Sequence, residues 1–181
     1  MRTSSHSRSA RAPWWVLITL IFLFLGALTT LTMREELTVS PSPSPSPSWV
    51  LSPTWPDRIL AWETIILPIA RQYQIDPNLI AALILLESGG RPNAVSRSGA
   101  VGLMQIMPSD THYKPWLFRG RPARAELFHP EFNVRWGVHF LAVLYHRNND
   151  NWPAALCEYY GSGGPSCVYS NKIMNLWQEA K

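Results

Sequence analysis

Two hydrophobic patterns divide this chain. From Ala12 to Met33 no residue is charged, and Trp14 to Leu31 is apolar almost without interruption. At ~1.5 Å per residue, about 20 residues cross the ~30 Å hydrocarbon layer of a bilayer. The run therefore predicts one transmembrane helix over 13–33. Arg2, Arg8 and Arg11 precede it, whereas Arg34 is followed at once by Glu35 and Glu36. That asymmetry predicts a cytoplasmic tip over 1–12, with the rest of the chain on the other side of the membrane. A cleaved signal peptide is the competing reading. Its apolar stretch is usually about 7–15 residues and ends at a small-x-small site, and Leu25-Gly26-Ala27-Leu28-Thr29 is a poor one. The run is read as an uncleaved signal-anchor. It places the chain in the cytoplasmic membrane as a single pass, with its main domain extracytoplasmic, on the periplasmic or cell-wall side.

The second pattern begins near Arg58 and is periodic. Ile59, Leu60, Trp62, Ile65, Ile66, Ile69, Ala70 and Tyr73 recur at helical spacing, with Pro68 expected to kink or restart the helix. Asp76-Pro77 supplies an N-cap followed by proline at the first helical position. Leu79 to Leu86 is apolar on every face, the mark of a helix buried on all sides, and Gly89-Gly90 stops it. The stretch from Pro92 to Pro108 is rich in Gly and Ser and has no helical stripe, which predicts loops or a small hairpin. Asn133 is read as capping a helix to about Arg147, with Trp136, Phe140, Leu141 and Leu144 turned inward. Trp152-Pro153 opens another helix ending near Gly161, and Ser170 to Ala180 forms the last. No strand pattern of any length occurs, so the fold class is mainly α.

Between the two patterns, Ser40 to Ser48 alternates Ser and Pro, and Pro53 and Pro56 follow. Alternating proline removes donors and favours extended polyproline II. Residues 34–57 are read as a linker and 58–181 as one domain. Its aromatic content, 12% for the chain, and its low charge suit a packed core. The net charge of +4 is spread along the chain, which predicts a solvated surface and no nucleic-acid partner.

The only two cysteines, Cys157 and Cys167, both lie in the domain. An even number in an exported segment suggests a disulfide closing a short loop, and two free buried thiols are the alternative. The five histidines are dispersed, and no HExxH or CxxC pattern occurs. No metal or cofactor is expected.

One carboxyl stands out. Glu87 follows eight apolar residues in the last turn of the buried helix. The negative end of the helix dipole and the loss of hydration both disfavour its charged form. A carboxylic acid still protonated near neutral pH is what glycosidic cleavage needs as a general acid. A Glu that merely reaches solvent at a helix end is the other reading of the same local pattern.

The residues that follow add to this. Glu87-Ser88 leads to Asn93-Ala94-Val95-Ser96, then to Ser98-Gly99-Ala100-Val101-Gly102-Leu103-Met104-Gln105-Ile106-Met107-Pro108. This resembles the signature of the soluble-lytic-transglycosylase family of goose-type-lysozyme-like folds. Pro130, Asn133, Gly137 and Leu141 are similar to a helix of that family, and Tyr159, Gly161 and Gly163 to its Tyr-Asn-Gly segment. The likeness runs from about Ile59 to Ile173. It implies a lysozyme-like α-helical domain with a short loop or hairpin region, here preceded by the transmembrane helix.

The resemblance also implies roles. Glu87 corresponds to the catalytic glutamate, Met104 and Gln105 to residues of the glycan groove, and Tyr159 to a tyrosine approaching the active site. Ser88, Ser96, Gly102 and Tyr160 are candidate substrate-binding or site-shaping residues. The family usually carries Asn where this chain has Tyr160, and one hydroxyl on a ring cannot reproduce an amide's donor–acceptor pair.

The implied activity is a lytic transglycosylase, a lyase that cleaves the β-1,4 bond between N-acetylmuramic acid and N-acetylglucosamine in peptidoglycan and forms a 1,6-anhydro ring. The expected partners are peptidoglycan glycan strands and, through 13–33, the cytoplasmic membrane, with the protein a monomer. Two alternatives stay open. A hydrolytic muramidase would need a second carboxylate, for which Glu158 and Asp110 are candidates. A non-catalytic wall-binding module of an envelope-spanning apparatus is the other.

Overall fold

The structure, a computed structural model, describes residues 49–111 and 120–181. It is mainly α-helical. In chain order the helices are α1 (Asp57–Leu60), α2 (Glu63–Tyr73), α3 (Pro77–Ser88), α4 (Pro130–Arg147), α5 (Trp152–Tyr160) and α6 (Val168–Glu179), with a single 3₁₀ turn at Glu126–Phe128 before α4. Between α3 and that turn the described chain is irregular. It is pinned by isolated antiparallel bridges of Val101 to Val95 and to Ile106, which is as much of a hairpin as forms there.

The expectation of a preceding transmembrane helix is corrected. Among the described residues no helix is long and apolar enough to cross a membrane. The longest, α4, has 18 residues but carries Glu131, Arg135 and Arg147 and alternates buried with exposed positions, because it packs one face on the domain core. The span read over 13–33 lies outside the described residues, as does the tip over 1–12. Among the described residues the fold is accordingly a lysozyme-like α domain, and neither the transmembrane helix nor the signal-anchor of the sequence reading is found in them. The cytoplasmic membrane is withdrawn as a partner and as a location.

Helix α3 is the axis of the domain. Asp76 caps it by accepting from the Asn78 backbone N–H at 2.8 Å, Pro77 opens it, and Gly89 ends it in a left-handed conformation at φ 63°. Leu79, Ile80, Ala81, Ala82, Leu83 and Ile84 are all fully buried. A helix with no polar face must be wrapped on every side, and α1, α2 and α6 pack against it. Pro68 sits inside α2 without ending it.

Two features depart from the sequence reading. Leu51 and Trp55, within the stretch read as linker, are core residues with only 3% and 6% of their surface exposed. The buried side chain of Asn78 holds them there: its Oδ1 accepts from Ser52 N–H at 2.8 Å and from the Trp55 indole at 2.9 Å, and its Nδ2 donates to the Val50 carbonyl at 3.2 Å. Helix α4 starts at Pro130 rather than at Asn133, since proline's fixed φ suits the first helical position. Asn133 is thereby carried inside the helix and turned into the core.

Candidate active site

Glu87 is the penultimate residue of α3 and projects between two cavities. One, of about 500 Å³, is bounded by Glu87, Ser96, Gln105, Met107, Tyr159 and Tyr160, among others. The second, of about 330 Å³, lies between Leu86, Glu87, Tyr160, Val168, Tyr169 and Lys172. Glu87 and Tyr160 border both. Together the cavities reach the size at which pockets hold small ligands.

The carboxyl of Glu87 is pushed up from 4.5 to about 7, chiefly because burial strips its hydration, and a hydrogen bond from Tyr169 works the other way. That bond runs from the Tyr169 hydroxyl to Glu87 Oε1. The phenol of Tyr169 is itself pushed far above its ordinary range, first by burial and then by the neighbouring carboxylate. It therefore remains a donor at any pH the protein meets.

The loop that faces Glu87 owes its shape to Asn133. Its Oδ1 accepts from the Met104 backbone N–H at 2.8 Å, and its Nδ2 donates to the carbonyls of Val101 and Leu127, both at 2.9 Å. Gly102 takes φ +85° directly against this amide, and a Cβ there would lie 2.1 Å from Asn133 Nδ2 and 2.7 Å from the Leu127 carbonyl. The turn that follows places Gln105 in the left-handed region at φ 49°. Its Nε2 donates to the carbonyls of Ala94 and Gly102 at 3.2 and 3.0 Å, and the side chain borders the larger cavity. From α5, Tyr159 donates its hydroxyl to the Met104 carbonyl at 2.8 Å and locks this loop to the helix.

The structure thus brings Glu87, Ser96, Gln105, Tyr159 and Tyr160 to one cavity. Ser88, Gly102 and Met104 stand behind it. Ser88 is 2% exposed and bonds within the helix end, donating to the Ile84 carbonyl and accepting from Gly90 N–H, both at 3.2 Å. Met104 is fully buried and its side chain packs where Gly137 leaves room: a Cβ on Gly137 would come within 2.6 Å of the Met104 sulfur. Cys157 and Cys167 form a disulfide, so the chain between them, which supplies Gly161 and Ser162 to the cavity wall, is closed at both ends.

Tyr169 is the functional neighbour that sequence reading missed. It lies 82 residues from Glu87, in the first turn of a helix that begins at Val168, two residues before the start read at Ser170. The two other carboxylates considered for the site are elsewhere. Asp110 forms a two-pronged ion pair with Arg124 at 2.9 and 3.1 Å, and Glu158 pairs with Arg147 at 3.2 Å and accepts from Asn148 at 2.7 Å. Neither borders the cavities around Glu87.

Comparison with known proteins places the chain in a family. The model of the transglycosylase SLT domain family matches residues 65–175, and the chain belongs to that family. It is 42% identical over 90 residues to an endo-type membrane-bound lytic murein transglycosylase A of Klebsiella pneumoniae, the match covering 48% of this chain and 44% of that protein. The corresponding protein of Salmonella enteritidis is 41% identical over the same length. The chain thus spans less than half the length of these curated relatives. Among solved structures, the 70 kDa soluble lytic transglycosylase of Escherichia coli aligns with 70% of this chain and 19% of its own, at 23% identity and a TM-score of 0.48.

Proposed function

We propose that this domain is a peptidoglycan lytic transglycosylase. It cleaves the β-1,4 bond between N-acetylmuramic acid and N-acetylglucosamine, with Glu87 as the single acid/base. One observation carries the reading: Glu87, held largely protonated up to neutral pH, is among the described residues the only carboxyl bordering the two cavities. A retaining glycosidase that forms a covalent intermediate needs a second carboxylate about 5–5.5 Å away. No described residue supplies one, and the segment 112–119 contains no Asp or Glu in its sequence.

A single carboxyl suffices when the nucleophile belongs to the substrate. Glu87 donates its proton to the bridging oxygen as the bond from C1 of the muramic acid breaks toward an oxocarbenium-like state. The resulting carboxylate takes the proton of the C6 hydroxyl on the same sugar, whose oxygen bonds to C1 and closes the 1,6-anhydro ring. No water is consumed, and Glu87 ends protonated for the next cycle. The C6 hydroxyl is tethered to the reacting centre, so its effective concentration is high. Tyr169 steadies the carboxylate between the two proton transfers.

The products distinguish this route from hydrolysis. Digestion of purified peptidoglycan should release muropeptides with 1,6-anhydro ends, each one water lighter than a lysozyme product and lacking a reducing end by mass spectrometry. Chiefly reducing-end fragments would falsify the transglycosylase route. No release by the wild-type protein would leave a wall-binding module as the reading.

A further inference from the structure

Tyr160 has no role in the chemistry above, yet its position is unusual for a tyrosine. The side chain is 62% exposed, although it borders both cavities around the acid. Its ring lies nearly parallel to that of Tyr169, with centroids 4.5 Å apart and 20° between planes. Tyr169 is held in turn by its bond to Glu87. The pair therefore forms a flat, pre-ordered apolar surface beside the acid. At its edge Val168 is 73% exposed, and Lys172 completes the rim of the smaller cavity.

Large exposed apolar surface in a ligand cavity marks a contact that awaits a partner. A pyranose ring matches it: one face of the sugar is a plane of C–H groups, and an ordered aromatic plane can bury that face at little cost in side-chain entropy. An amide side chain in this place, as the family commonly has, would grip a sugar through a donor and an acceptor instead.

We propose that Tyr160, stacked on Tyr169, is the platform for a pyranose ring in the smaller cavity, and that this chain holds the sugar on that side of the scissile bond by stacking. The proposal rests on the glycan-cutting reading of Glu87. It makes Tyr160 a specificity-determining residue: the grip depends on the shape of the sugar's apolar face and little on its polar substituents.

The test separates binding from chemistry. Affinity for soluble peptidoglycan glycan strands is measured by calorimetry in a Glu87→Gln background, and KM and kcat in the wild-type background. Tyr160→Ala should weaken binding, and raise KM, by about five- to tenfold, the size expected of one aromatic stacking contact, with kcat changed less than twofold. Tyr160→Trp should restore most of that loss. Tyr160→Asn should remain weaker than wild type. The exposed position makes misfolding easy to detect by a melting curve, and Tyr160→Asn supplies a second, polar truncation should the alanine variant fail to fold.

Unchanged affinity in Tyr160→Ala would overturn the platform. So would a lowered kcat and a shifted pH profile at constant affinity, which would make Tyr160 a positioning residue acting through Tyr169. The calorimetric comparison needs no turnover, so absence of cleavage by the wild-type protein would count against the transglycosylase reading and leave the platform to be judged on binding.

Discussion

Tyr169 donates its hydroxyl to Oε1 of Glu87, joining the first turn of α6 to the last turn of α3. Two effects on the carboxyl oppose each other here. Burial pushes it up and the phenol pulls it down, and burial wins, leaving it at about 7.

The bond fixes the sign of a pH experiment. As the proton donor, Glu87 must start protonated, so kcat/KM should fall as pH rises through about 7. Removing the phenol withdraws a hydrogen bond from the charged form, so Tyr169→Phe should move this alkaline limb upward by about one pH unit. The rate at the plateau should fall, because the carboxylate formed after the first step is less well held. A limb that stays in place, or moves down, would mean that the hydroxyl does not act on the carboxylate.

Asn133 should be the most sensitive polar residue away from the cavity. Its amide satisfies three buried backbone groups of the loop and of the turn before α4. Asn133→Ala strands the Met104 N–H and takes a donor from the Leu127 carbonyl and from a Val101 carbonyl that keeps only its bond from Ile106 N–H. It also leaves a void, so we expect a loss of about 3–5 kcal/mol by chemical denaturation. Asn133→Asp keeps the acceptor for Met104 N–H but forfeits both donors, and should cost nearly as much. Gly102→Ala should be comparably severe, since the new Cβ meets backbone as well as the Asn133 amide at a positive φ. If these variants melt like wild type, the amide does not organise the loop.

Much of this arrangement is legible in the sequence, and the part that is not has a physical reason. Period and punctuation locate α3, because Asp76-Pro77 and Gly89 bracket a run too apolar to face water. The same run exposes Glu87 as anomalous. Side-chain direction is harder to read. Ser88, Gly102 and Met104 share a motif with Gln105, yet the helix end and the Gly102 turn point them into packing while Gln105 faces the cavity. Tyr169 leaves no local signal, since its importance arises only when α6 packs on α3. The packing of Leu51 and Trp55 was hidden by neighbouring prolines, which suggest a linker until the buried acceptor of Asn78 is seen.

The disulfide should matter for the cavity as much as for the fold. Cys157 and Cys167 are ten residues apart, and closing so short a loop contributes about 2–3 kcal/mol in the chain-entropy model. Cys167→Ser should therefore lower Tm by several degrees. It should also reduce activity in part, because Gly161 and Ser162 line the cavity and Tyr160 adjoins them. Reductant should reproduce both effects in the wild-type protein and neither in the variant. A wild-type Tm indifferent to reductant would remove the disulfide from this account.

Glu87 should also cost the fold stability where it serves the chemistry. Its carboxyl is at about 7 when folded, against 4.5 ordinarily, so between these values the native state binds more protons than the unfolded chain. Stability then falls as pH rises across that window, is undiminished below about 4.5, and is reduced by roughly 2–3 kcal/mol near pH 7. Glu87→Gln keeps the shape, and its amide oxygen can still accept from Tyr169, but it cannot ionise. The variant should lose several orders of magnitude in turnover and yet unfold at a higher denaturant concentration than wild type at pH 7–8. The two proteins should converge near pH 4.5, so the pH dependence of the difference, rather than its value at one pH, is the measurement to make. A constant offset across pH 4–8 would show that the glutamine acts through packing alone. Such a pH-independent difference would also mean that burial does not raise the Glu87 carboxyl, and the acid-donor role would lose its physical basis.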